Sequence, residues 1–169
     1  MDTLQAILTR RSVRAFTAQP VSPELITRLL EAAMQAPSAC NQQPWQFIVI
    51  TDREALDALP AIHPHAEMSR QAALAVIVCG DLSLETCKGY WMQDCSAATQ
   101  NLLLAAHALG LGAVWTGIYP VEERVAAFRE RFGLPDHVIP LCLVPIGHPA
   151  EPVEPVSRYK PERIHANGW

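Results

Sequence analysis

Two hydrophobic rhythms alternate along the chain. Near the N-terminus Leu4, Ile7 and Leu8 recur at helical spacing, with Asp2 as cap and Gln5 in the capping-box position. A first helix with that apolar stripe is expected. Ser22-Pro23-Glu24 opens a second helix, with cap, first-turn proline and acid in order. Leu25, Ile26, Leu29, Leu30, Ala33 and Met34 line its inner face, and Pro37 ends it. From Gln46 to Thr51 the residues are β-branched and apolar, which predicts a strand. Asp52 then caps a short helix through Leu59. Leu74 to Gly80 is a continuous apolar run, the mark of a strand covered on both faces.

The next segment is the longest helix, from about Tyr90 to Leu109, stopped by Gly110. Ala97, Ala98, Leu102, Leu103, Leu104, Ala105 and Ala106 make it apolar around much of its circumference. Such a helix belongs in the middle of a structure or at a subunit interface. Ala113–Ile118 reads as a third strand, Val121–Phe132 as a helix closed by Gly133, and Ile139–Ile146 as a fourth strand. The pattern is α+β in a single domain, residues 1–169. The last stretch, residues 149–169, differs. Pro149, Pro152, Pro155 and Pro161 exclude regular helix or central strand, yet Tyr159, Ile164 and Trp169 are apolar. An extended arm lying on its own domain or on a second subunit fits both properties.

Composition narrows the function. Half of the residues are apolar and only 18% are charged, less than the usual quarter. A lean surface charge suggests a covered surface. The formal net charge of −4 argues against a nucleic-acid partner. No stretch is long enough to span a membrane and no basic-then-apolar leader opens the chain, so a cytoplasmic location is expected. The cysteines Cys40, Cys79, Cys87, Cys95 and Cys142 lack metal or disulfide spacing and read as free thiols in a reducing compartment.

Two stretches exceed what packing requires. Arg10-Arg11-Ser12-x-Arg14 gathers cations and a hydroxyl at the end of the first helix. Guanidinium forks match phosphate oxygens, although cations also complement a helix C-terminus. The loop Pro37-Ser38-Ala39-Cys40-Asn41-Gln42-Gln43-Pro44-Trp45 holds a hydroxyl and a run of amides between prolines. Amides supply the donors and acceptors that a pyrimidine-like edge requires. The simpler alternative is a polar turn with Trp45 as core anchor. Together the stretches suit a planar, hydrogen-bonding ligand that carries a phosphate. Gly110-Leu111-Gly112 is not a dinucleotide fingerprint, because it follows a helix, enters a strand and lacks the third glycine. Thr116-Gly117, at a strand end, can approach a ligand through backbone amides. His63-Pro64-His65 reads as a surface loop and no metal site is assigned. Cys40 has no base near it in sequence to make it a nucleophile.

The pair R-R-S-x-R and P-S-x-x-N-x-Q-P-W resembles the FMN-dependent nitroreductase family. The resemblance continues through Gly110-Leu111-Gly112, Ile146-Gly147, and Arg158-Tyr159-Lys160 to His165 and Trp169, covering essentially the whole chain. It implies a central mixed or antiparallel sheet flanked by helices, and a homodimer that exchanges its C-terminal arm. It implies noncovalent FMN at the dimer interface. Arg10, Arg11, Ser12 and Arg14 would contact the phosphate, ribityl chain or pyrimidine edge. Pro37, Ser38, Ala39 and Asn41 would come from the other subunit, Thr116 and Gly117 would lie near the ring, and Arg158 and Lys160 would reach the phosphate. The implied activity passes a hydride from NAD(P)H through flavin to a small electron-poor acceptor such as a nitroaromatic or quinone, with no side chain assigned as catalytic. Flavin fragmentation, dehalogenation and a non-catalytic FMN-binding dimer are the alternatives on the same fold. Trp115 is expected to limit or stack in the pocket.

Overall fold

Local signals start three of the helices. In the computed structural model, which describes residues 1–169, the Asp2 carboxylate accepts from Gln5 N at 2.8 Å and opens α1 (Thr3–Thr9). The Ser22 hydroxyl caps α2 (Pro23–Met34), and Asp52 caps α3 (Arg53–Ile62) through Ala55 N at 2.8 Å. Helix α3 runs one turn past the expected end at Leu59 despite Pro60. Burial of Leu56 and Leu59 and the His63 N to Leu59 O bond of 3.0 Å offset the hydrogen bond that proline removes. Helix α4 (Trp91–Ala108) has no side-chain cap of its own residue. Instead Glu85 Oε1 accepts from Gly89 N and Trp91 N, each at 3.0 Å. At its other end Gly110, at φ +79°, donates to His107 O, and Leu111 N donates to Ala106 O at 2.8 Å. That is the Schellman closure. Helix α5 (Glu122–Phe132) ends at Gly133 in the left-handed region, as expected.

The strands are β1 (Trp45–Ile50), β2 (Leu74–Asp81), β3 (Gly112–Ala113), β4 (Thr116–Gly117) and β5 (Val138–Gly147). They form one sheet in the order β1-β2-β5-β3, with β4 also on β5, and every strand pair is antiparallel. The expected third strand is therefore two short pieces in one register. Ala113 faces Ile146 and Thr116 faces Leu143, but between them Pro145 has no N–H to return to Val114. Only Val114 N to Pro145 O, at 3.3 Å, is made. A bulge in β5 between the partners of Val78 and Cys79 leaves Leu141 unpaired with β2. Its carbonyl accepts instead from Ile118 N and Tyr119 N, which fixes the exit of β4.

All eight residues of β2 are buried. Leu74, Val76 and Val78 pack with α2 and α4 through Leu29, Ala33, Ala98 and Leu102. Ala75, Ile77 and Cys79 pack on the other face with Leu56 and Leu59 of α3 and Phe128 of α5. The architecture is thus α+β, an antiparallel sheet between helical layers. No helix is long and apolar enough to cross a membrane.

The apolar stripe of α1 does not face this core. Ala6 is buried, whereas Leu4 and Leu8 are 71% and 70% exposed. The arm from residue 151 to 169 is exposed throughout, with Tyr159 at 74%.

Between core and site, residues 12–16 run beside β3. Val13 N donates to Ala113 O at 3.0 Å and Ser12 bridges Ala113 in parallel. Glycine allows this approach, since a Cβ at Gly112 would lie 2.6 Å from Val13 Cγ1. Gly112→Ala is expected to destabilise the protein by about 1–3 kcal/mol through overpacking. Urea unfolding measures the change, and an unaltered midpoint would contradict this packing.

Candidate functional site

The arginine segment begins where α1 stops. Arg10 is the helix C-cap, its N–H donating to Ala6 O at 3.0 Å. The following chain crosses to β3, and the start of the arm is pinned against it: Thr17 N donates to His148 O at 2.9 Å and Ala150 N to Ala15 O at 3.0 Å. The arm then carries Arg158 toward Arg10. Burial and the adjacent charges of Arg158 and Arg11 lower the Arg10 pKa. None of Arg10, Arg11, Arg14 or Arg158 belongs to any of the chain's ion pairs. Nearby, Thr9 Oγ1 lies 2.7 Å from His107 Nε2, and burial and Arg10 lower the His107 pKa. Glu151 lines the same small cavity as Arg11 and His107 but pairs with none of the arginines, so their mutual repulsion would favour a bound anion.

The amide loop is strained. Cys40, Asn41 and Gln43 have φ of 51°, 53° and 47°, each in the left-handed region. Non-glycine residues hold such conformations only where their surroundings over-determine them. Here buried Asp94 on α4 accepts from Ala39 N at 2.9 Å and from Gln42 Nε2 at 2.7 Å. Gln42 Oε1 in turn accepts from Thr86 N and Cys87 N at 3.0 and 2.9 Å. Ser38 Oγ accepts from Gln43 N at 3.0 Å, and Gln43 Nε2 donates to Asn41 Oδ1 at 2.8 Å. Gln42 is therefore spent on structure. Pro37, Ser38, Ala39, Asn41 and Gln43 form the outer rim. Trp45 is buried and anchors the loop to the core, as its bulk suggests.

Cys40 is disulfide-bonded to Cys87, which corrects the expectation that all the cysteines are free. The fold brings together two residues 47 apart in sequence, to a Cα separation of 6.4 Å. That lies within disulfide range, and nothing in cysteine spacing discloses it. Cys79, Cys95 and Cys142 are free and buried. Desolvation pushes the Cys79 and Cys142 thiols up to about 12 and raises Cys95 as well.

Strand β4 presents backbone only. The Thr116 hydroxyl is buried and donates to Leu143 O at 2.9 Å. The Gly117 carbonyl accepts from Arg124 Nη1 at 2.9 Å and meets His63 Nε2 at 2.9 Å. His63 Nδ1 accepts from His65 N at 3.1 Å, so the proton of a neutral ring sits on Nε2. Pro64 and His65 are exposed in a turn, as expected of a surface loop, but His63 is 1% exposed and points inward. Beside β4, Trp115 is 36% exposed. Lys160 is exposed on the arm.

Within one chain the structure brings Arg11 and Arg158 close to Arg10 at the end of α1, while Ser12 lies against β3 and Arg14 follows two residues further on. It places Pro37, Ser38, Ala39 and Asn41 in a second cluster, tied by hydrogen bonds to α4 and residues 86–87 but not to the arginine segment. The sequence reading missed Asp94, the inward role of Gln42, Cys87 and the His63–Arg124 clamp. The one available signal was for Asp94, the single acid of α4.

The model of the Nitroreductase family matches residues 7–91 and 85–148, and the chain belongs to that family. It is 52% identical over 169 residues to a Methanothermobacter thermautotrophicus protein named "Putative NADH dehydrogenase/NAD(P)H nitroreductase", covering 100% of this chain and 88% of that one. A crystal structure under the same name from Parabacteroides distasonis shares 46% identity with a TM-score of 0.94, covering 99% and 98% of the two chains. A Desulfovibrio desulfuricans crystal structure, named "a putative nitroreductase in complex with fmn", shares 34% identity with a TM-score of 0.89 over 100% and 98% of the two chains.

The His63 clamp has a pH signature. Burial, the first cause, lowers the His63 pKa, and Arg124 and His65 add to the effect against the Gly117 hydrogen bond. The unfolded chain therefore takes up the proton first. Stability is full above the unfolded histidine value of about 6.5 and falls as pH drops through it. Urea midpoints at pH 8 and pH 5.5 are expected to differ in that direction. His63→Gln should reduce the difference; an identical pH dependence would remove His63 from the account.

Proposed function

We propose that the protein is a homodimeric FMN-dependent oxidoreductase that takes a hydride from NAD(P)H and passes it to a small electron-poor acceptor, a nitroaromatic or a quinone. The uncompensated cation cluster of Arg10 and Arg158 carries the reading. It fits a phosphate, and the left-handed amide loop offers donors and acceptors to a flat heterocycle. The names of the relatives support the same chemistry. FMN, when bound, would supply the two-electron relay between donor and acceptor.

The chain's own residues bind and orient. Arg10, Arg11, Arg14, Arg158 and Lys160 would hold the phosphate, with the Ser12 hydroxyl on the phosphate or ribityl chain. Pro37, Ser38, Ala39 and Asn41 of a second copy supply the other wall. The β4 backbone at Thr116 and Gly117, kept in place by His63 and Arg124, would approach the ring. Trp115 shapes the space above it. No side chain is required as acid or base.

Purified protein is expected to be yellow and to bleach with NADH or NADPH without oxygen. Colourless protein that takes up no added FMN would refute the reading, and yellow protein that does not bleach would leave only a binding dimer. Arg10→Ala is expected to cost about 1.5–3 kcal/mol of FMN affinity and much less of riboflavin affinity, because a charge-assisted phosphate contact is lost. Equal weakening of both ligands would place the phosphate elsewhere.

Exposed Leu4, Ile7 and Leu8 and the arm's Val156, Tyr159, Ile164 and Trp169 support the dimer. An open groove of about 390 Å³ between α1, α2 and α4, lined by Ala6, Ala32, Leu104, Ala105 and Ala108, offers apolar surface for a second copy. Each large side chain buried there contributes roughly 1.5–3 kcal/mol. Truncation after Ala150 is expected to lower dimer content and FMN occupancy together, since a ligand held by two chains is linked to their association. A truncated protein that sediments as a yellow dimer would show that the arm lies elsewhere.

A further inference from the structure

We propose that Cys40 and Cys87 form a reversible thiol–disulfide site, opened by a dithiol reductant, which locks the amide loop in its ligand-receptive shape. The consequence for FMN rests on the reading above; the thiol chemistry does not.

The bond joins two surface segments rather than two core elements. Cys40 is exposed, Cys87 is half-buried, and Thr86, Lys88, Gly89 and Tyr90 beside it are exposed. On the Cys40 side lie the three left-handed residues Cys40, Asn41 and Gln43. On the Cys87 side the segment is tied to the loop otherwise only through Gln42 Oε1, by the N–H groups of Thr86 and Cys87. The disulfide is thus the one covalent restraint on a backbone conformation that L-residues rarely adopt. Nothing else in the chain competes for reductant or oxidant, because Cys79, Cys95 and Cys142 are buried and their thiols raised. Accessible disulfides are the labile and regulatory ones.

A thiolate of the reductant attacks Sγ of Cys40, the more exposed residue of the pair. The S–S bond breaks, Cys87 leaves as thiolate, and a mixed disulfide forms at Cys40. The reductant's second thiol then closes on its own sulfur and releases Cys40. Two electrons and two protons pass to the cysteines, and the dithiol becomes a disulfide. With the covalent restraint gone, only the Asp94, Gln42 and Ser38 hydrogen bonds hold the left-handed backbone, so Cys40 and Asn41 relax part of the time and only a fraction of loops present their rim correctly. Ligand affinity falls by the inverse of that fraction.

The test uses the holoprotein. Dithiothreitol followed by iodoacetamide and peptide mass analysis is expected to label Cys40 and Cys87 while Cys79, Cys95 and Cys142 stay unmodified. FMN affinity of the alkylation-free reduced protein, read by flavin fluorescence, should fall about fivefold, as for a receptive fraction near one fifth. Oxidised dithiothreitol should restore it. The variant Cys40→Ser/Cys87→Ser should show the weaker affinity and no response to reductant. If the pair is labelled only together with the buried cysteines, the bond is a structural staple and the proposal fails. Unchanged FMN affinity on native reduction overturns the link to the loop. Protein that binds no FMN in either state, yet labels only at Cys40 and Cys87, refutes the flavin reading and leaves the thiol site standing.

Discussion

Strand β2 has no face left for water, and the rest of the molecule follows from covering it. Its side chains alternate between a layer of α2 and α4 and a layer of α3 and α5. Each large residue placed there contributes roughly 1.5–3 kcal/mol, so the helices cannot leave without exposing several at once. Doubly covered strands are common in parallel sheets, but here both neighbours of β2 are antiparallel. Burial on both faces depends on helices above and below, not on strand direction.

The candidate site is built at the margins of that core by groups whose partners are fixed from inside. Asp94 projects from the buried side of α4 and ends on the amide loop, not on another core residue. A buried carboxyl needs donors, and Ala39 N and the Gln42 amide provide them. The same requirement sets β4: buried His63 finds its acceptor in Gly117 O, which Arg124 shares. Satisfying buried polar groups thus positions the two pieces of backbone that would meet a ligand. Arg10, Arg11, Arg14 and Arg158 differ, because no ion pair within the chain holds them.

What the core does not use is equally informative. Helix α1 turns its leucines outward and the arm runs on with its aromatic residues exposed. Exposed large apolar side chains grouped on two such elements are surface that a second copy could cover. The arginine cluster and the amide loop, each incomplete as a pocket, gain a physical rationale if two copies bring them together.

The sequence by itself determined the helices, the doubly covered strand, the arm and the arginine and amide-loop residues. Caps, periodicity, proline and an excess of polar groups over what a turn needs are local, and local signals can be read in order along the chain. Only the tertiary structure decided that Pro145 splits the third strand, since that depends on which residue lies opposite Val114. It also decided that His63 is buried, that Gln42 faces inward, that Asp94 holds the loop, and that Cys40 reaches Cys87. Each of these is a meeting of residues far apart in sequence. Their energies depend on distance and burial, and neither exists until the sheet has brought the segments together.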